Sequence, residues 1–176
     1  MCQPASMVLT KDYVLWSMNT DSHTDICEEF GLHEDGARGP NVLKIEITPP
    51  DGDFAAPAEK WIYRLDQDIM PAWYDAVRDE ARGRVALVDW INKRVIREGA
   101  KKLCSGRFFI TGGIVENVQD SATVENVCGS ATVKNICGSA TVIQYGGTCE
   151  PPKDNAVVID RRKGKPFCIT FDTEKV

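Results

Sequence analysis

The sequence predicts an α+β fold, in which a small antiparallel sheet with a covering helix precedes a short β-solenoid-like nonapeptide repeat that C-terminal strands close. Three observations predict it. Apolar residues alternate with period two in "NVLKIEIT" and "KWIYRL". They recur at helical spacing between Asp75 and Glu98. One phrase of nine residues is spelled three times in "SATVENVCGSATVKNICGSATVIQYGG", Ser121 to Gly147.

Composition sets the frame. The 176 residues are 43% hydrophobic and 27% charged, enough for a core in one domain or two small ones. Lys and Arg number 21 against 26 Asp and Glu, a net charge of −5. That balance speaks against a general binder of phosphate backbones and suits solubility or a basic partner. The seven cysteines are odd in number and no charged-then-apolar leader opens the chain, so reduced thiols in a cytosol are expected. The longest apolar runs fall well short of a membrane span.

Residues 1 to about 105 read as an α/β portion. "YVLWSM", Tyr13 to Met18, is aromatic and branched and predicts a strand. A helix follows: Asp21 or Ser22 caps it, Asp25 stands three after Ser22, Ile26 and Phe30 share a face, and Gly31 stops it. Leu43, Ile45 and Ile47 alternate with Lys44 and Glu46 as in a half-buried strand. "KWIYRL" alternates likewise through Trp61, Tyr63 and Leu65, and the two strands are expected to pair antiparallel across "PPDGDFAAPAE". From Asp75 to Glu98 the stripe Val77, Ala81, Val88, Ile91 and Val95, widened by Leu87 and Trp90, predicts a long helix over one sheet face, weakened at Gly83 and ended by Gly99.

The repeat occupies residues 106–150. From Val115 it reads VENVQDSAT, VENVCGSAT, VKNICGSAT and VIQYGGTCE, the last unit degenerate. One column holds Val115, Val124, Val133 and Val142; a second Val118, Val127, Ile136 and Tyr145; a third Ala122, Ala131, Ala140 and Cys149. Asp120, Gly129, Gly138 and Gly147 form a corner column of residues that tolerate positive φ. Between corners, β-branched residues favour extended chain over helix. Eighteen residues per two-sided coil fit a parallel solenoid, which places Asn117 under Asn135 and turns Cys128 away from Cys137. An antiparallel meander is the alternative. "GRFFITGG" is expected to add a preceding coil, and residues 151–176 two capping strands around Arg161 to Lys165.

The chemical motifs are sparse. Calcium-binding nonapeptides need acidic turns, and only Asp120 is acidic among these corners. Zinc sites use closely spaced cysteine pairs, and Cys128, Cys137 and Cys149 are too widely spaced, so no metal and no cofactor are expected. His23 and Cys27 stand at i and i+4 on the first helix, close enough for a thiolate–imidazole pair or half of a metal site, so they are the candidate catalytic residues of a thiol-dependent enzyme. Trp61, Tyr63, Trp73 and Tyr74 surround Asp66, Gln67 and Asp68 in sequence; rings supply area and carboxylates direction in a binding face. "RRKGKP" reads as solvated turn charge, and direct nucleic-acid contact is not expected. No P-loop, dinucleotide fingerprint, G-x-S-x-G or H-E-x-x-H is present.

The S-A-T-V-x-N-[VI]-x-G units, with "KWIYRLDQDIMPAWYD" before and "NAVVIDR" after, resemble those of small uncharacterised proteins of phages and gut bacteria carrying the same tandem units, from about Val42 onward. The resemblance implies a mobile-element setting in the cytoplasm of a bacterial host and transfers no catalytic residues. The function expected from it is a non-enzymatic protein-binding module, such as an anti-CRISPR-like inhibitor of a host-defence nuclease. Asp66, Asp68, Trp73, Glu116 and Glu125 would face the basic groove of that partner. The alternatives are a self-assembly module acting through solenoid ends, and an enzyme using His23 and Cys27 or Asp66 and Asp68.

Overall fold

The computed structural model describes residues 4–36, 39–163 and 167–170. The chain divides into two compact units, Met1–Lys93 and Arg94–Val176. The expected boundary near residue 105 therefore falls inside the second unit.

In the first unit, β1 (Ser6–Leu9), β2 (Val14–Leu15), β5 (Leu43–Thr48) and β6 (Ile62–Leu65) form a four-stranded antiparallel sheet in the order β2-β1-β5-β6. The expected pairing of the two alternating segments is observed, with Ile45 opposite Leu65 and Ile47 opposite Tyr63. The strand expected over Tyr13 to Met18 shortens to two residues. The hydrophobic Ser6–Leu9 run takes the central place, all four residues buried. After β2, α1 (His23–Glu29) begins at Ser22, whose hydroxyl accepts the Asp25 N–H, and Gly31 follows it at φ 63°. A two-strand ribbon, β3 (Asp35–Gly36) with β4 (Gly39–Pro40), leads into β5.

Sheet alternation separates two faces. Val8 packs with Ile26, Cys27 and Val42 under α1. On the other face α2 (Ala76–Arg94) covers Ile45, Ile47 and Tyr63. Of the expected stripe, Leu87, Trp90, Ile91 and Val95 are buried, but Val77 is 83% exposed and Val88 48%, and Asp79 and Arg94 are buried in addition, so the face is rotated. Gly83 explains the rotation: a Cβ there would lie 2.7 Å from Ile45 Cδ1, so the helix approaches the sheet along its glycine. Asp79 sits at the first turn. It accepts the Asp75 N–H and pairs with Arg78 and Arg82, so a carboxylate can occupy a buried position. The helix ends at Arg94 instead of Gly99, because Val95 and Ile96 pair as a strand with Phe109 and Ile110.

The second unit is a parallel β-solenoid. One sheet orders β7 (Val95–Ile96), β9 (Arg107–Ile110), β11 (Thr123–Val127), β13 (Thr141–Gln144) and β15 (Val157–Asp160). The other orders β8 (Gly99–Ala100), β10 (Ile114–Val115), β12 (Thr132–Val133) and β14 (Thr148–Cys149). Parallel pairing throughout these strands replaces the meander alternative. Successive nonapeptides alternate between the two sheets, so the valine column splits into two rows: Val115 pairs with Val133, and Val124 with Val142. All four valines are fully buried, as are Ala122, Ala131 and Ala140. Each buried valine stabilises the stack by about 1.5 kcal/mol. The corner column turns with φ 56° at Asp120, 59° at Gly129, 68° at Gly138 and 60° at Gly147. Val118 bridges Ile136 in parallel, and the Asn117 and Asn135 amides each donate to a carbonyl of the preceding coil, at 2.9 and 3.3 Å.

The degenerate fourth unit departs from its columns. A register shift places Gln144 opposite Val127, where Gln144 is buried and donates to Gly147 O, and Tyr145 turns outward beside Arg161. Cys149 joins the valine row, opposite Val133, instead of the alanine column. "GRFFITGG" does contribute a coil, as β9. At the C-terminal end β16 (Phe167–Thr170) pairs antiparallel with β15, closing that sheet. Of the basic turn, Gly164, Lys165 and Pro166 lie outside the described residues, as does Cys2.

Candidate functional site

The residues that gather chemistry lie in the first unit. Cap geometry fixes α1, whose first residue, His23, is only 3% exposed. Its Nε2 lies 3.0 Å from the Ile45 carbonyl oxygen and its Nδ1 3.0 Å from Asp66 Oδ2. A carbonyl oxygen only accepts, so Nε2 carries a hydrogen and donates. The ring is thereby held by both nitrogens.

Asp66 follows the last residue of β6, and its N–H donates to Lys44 O, prolonging the β5–β6 ladder by one rung. Gln67 prolongs it further with its side chain: its amide accepts the Lys44 N–H at 2.8 Å and donates to Val42 O and Ile69 O. Asp66 and Asp68 flank this clamp on a fixed backbone. Together with Glu34, Asp35, Lys44 and exposed Ile69 they line a recess of about 320 Å³. Four carboxylates thus face one ammonium, and Lys44 is itself paired with Glu34, which raises its pKa. Among the described residues no cation pairs with Asp35 or Asp68. The recess is consequently a region of negative potential with an apolar rim at Ile69.

The sequence-predicted residues separate. Asp66 and Asp68 share the recess. Trp73 is not in its lining; it is half-buried, and its carbonyl accepts Arg78 at 2.6 Å. Trp61 serves the core, 5.8 Å from both Phe54 and Trp90 in edge-to-face contacts. Glu116 and Glu125 belong to the second unit, on opposite sheets, where Lys134 pairs with Glu116 and Arg107 with Glu125 across neighbouring coils. Arg161 lies over Tyr145, and Arg162 pairs with Asp160 at 2.6 Å. Glu34 and Asp35 were missed. Their signal was the acidic doublet in "LHEDG", which only the β3–β4 ribbon carries to the Asp66 loop.

His23 and Cys27 share one helix, yet the ring nitrogens lie against Ile45 O and Asp66. Burial, and secondarily Glu34, pushes the Cys27 thiol up to about 11, so little thiolate forms at neutral pH. That environment suits a core thiol more than a nucleophile. The chain matches no protein-family model, no curated protein and no solved structure.

Proposed function

We propose that the chain is a non-enzymatic binding module whose acidic recess receives a basic segment of a partner protein. In the mobile-element setting expected from the repeat, that partner is a host-defence nuclease, whose nucleic-acid groove is basic. The observation that carries the reading is the recess itself, four carboxylates around one neutralised lysine on a backbone already fixed by the Gln67 clamp. A guanidinium or ammonium of the partner gains charge-assisted bonds there, and its aliphatic stem lies against Ile69. Because the backbone carrying Asp66 and Asp68 is already held by Gln67, little of it must be ordered on binding.

Self-assembly through solenoid ends has less support. β16 covers the C-terminal edge of one sheet, and the edge of the other, β14, is two residues long.

The test is a titration of the purified chain with a labelled Arg/Lys-rich peptide at low and moderate ionic strength, beside a phage-plaquing assay in a host with active nuclease immunity. The expected results are salt-sensitive binding and restored plaquing, both reduced at least about tenfold in the charge-reversed Asp35→Arg/Asp68→Arg variant with its circular dichroism unchanged. Peptide binding indifferent to these two substitutions refutes the recess as the docking site, and unchanged plaquing refutes the defence-inhibitor role.

A further inference from the structure

We propose that His23, Glu46 and Asp66 form a binding site for a divalent first-row transition ion, with Zn²⁺ as the best-matched member. One ligand atom from each residue lies within 4.8 Å of the other two. The Nδ1 to Oδ2 distance of 3.0 Å is already that between neighbouring ligands of one ion. Metal–ligand bonds of about 2.1 Å at tetrahedral to octahedral angles set donor atoms about 3.0–3.4 Å apart.

The orientation of the ring is the stronger argument. With Nε2 turned to Ile45 O, the ring presents its Nδ1 edge to the Asp66 carboxylate. An ion bound between Nδ1 and Oδ2, which stand 3.0 Å apart, would take the place of the proton that otherwise bridges them. A ligating histidine whose other nitrogen donates to a backbone carbonyl is the usual outer-shell arrangement of metal sites, because it fixes both the tautomer and the ring plane.

The three residues also stand on rigid elements. His23 opens α1, Glu46 is in mid-strand, and Asp66 is hydrogen-bonded onto the β5–β6 ladder. Burial falls from His23, 3% exposed, to the Asp66 side chain, 47% exposed, so the site is walled on one side and reachable from the other. One imidazole nitrogen with two carboxylates suits Zn²⁺ or its neighbours better than Ca²⁺, which takes six to eight oxygens, or a soft ion needing thiolate. Three protein ligands leave a tetrahedral ion one position for water. The site shares Asp66 with the recess, but the docking test leaves all three of these residues intact, so either proposal can fail without the other.

The experiment is a titration of chelator-stripped full-length chain with Zn²⁺ by calorimetry and with Co²⁺ by visible absorption, under conditions that keep thiols reduced. In parallel, long-range ¹H–¹⁵N spectra of the two histidines follow the ring nitrogens, with His33 as internal reference. The expected result is one equivalent of ion, a large shift of His23 Nδ1 without loss of the Nε2 hydrogen, and a cobalt spectrum of nitrogen and oxygen ligation. Asp66→Asn and Glu46→Gln each weaken binding at least about tenfold. Asp68→Asn and Cys27→Ser leave it unchanged. If Glu46→Gln does not fold, the half-exposed Asp66 position decides. Retained affinity in Asp66→Asn, an unmoved His23 resonance, or a thiolate-to-cobalt charge-transfer band overturns the proposal.

Discussion

The two units reach order by different routes. In the second, each residue meets its counterpart one coil away, Val115 with Val133 and Val124 with Val142, so one local rule repeated along the chain produces the core. In the first, His23, Glu46 and Asp66 come from a helix start, a mid-strand position and a strand end, and each contact is made once. Repetition multiplies a modest contact, whereas the α/β unit concentrates its specificity in single points such as Gly83 and Asp79. An error in a repeated column should therefore propagate through neighbouring coils, and an error in the first unit should stay at its own network.

The largest effect that sharpens this contrast is expected at a solenoid corner. Gly113 has φ 71°, and a Cβ there would lie 2.2 Å from the Glu98 carbonyl carbon in the coil before it. Gly113→Val should cost about 4 kcal/mol or more, read by urea unfolding, with amide exchange accelerated across several coils. Protection lost only at residues 112–114 would break the comparison. Ile136→Ala empties a fully buried column position and should cost about 3 kcal/mol in the same assay.

In the first unit, Asp79 has no exposed side-chain surface. Burial alone would raise its pKa, but Arg78, the Asp75 N–H and Arg82 outweigh it and hold the carboxyl down at about 2. A depressed folded-state value contributes stability that is present above the unfolded value of about 4 and disappears as pH falls through about 2. Asp79→Asn should thus lose about 2 kcal/mol at neutral pH and show a shallower decline between pH 4 and pH 2, followed by thermal unfolding against pH. An unchanged acid slope would show that the network is not the determinant. The smallest effect is expected for Glu116→Gln, whose partly exposed pair with Lys134 spans 3.4 Å and should be worth under about 0.5 kcal/mol by double-mutant cycle.

The solenoid was legible in the sequence because its contacts are encoded at a fixed period: the corner residues, the buried valines and alanines, and the parallel stacking all follow from one register. It failed where that period slips, at Gln144, Tyr145 and Cys149. The α/β unit was legible in its strands and in the Ser22 cap, since these are local signals. The buried face of α2 was right at Leu87, Trp90 and Ile91 and wrong at Val77 and Val88, because hydrophobicity marked those two while a glycine and the charged Asp79 lie on the buried side. Within the recess, Asp66 and Asp68 were found from their neighbours in sequence. Glu34, and Glu46 beside His23, were not, since no spacing rule links residues brought together by sheet pairing and helix docking.

The alternation of nonapeptides between two sheets carries a rule of parity. Gain or loss of a single unit would deliver every later strand to the opposite wall and leave the closing hairpin facing the wrong side, whereas a pair of units inserts one whole turn and changes only height. Nonapeptides should therefore be removable or insertable in this chain only in pairs.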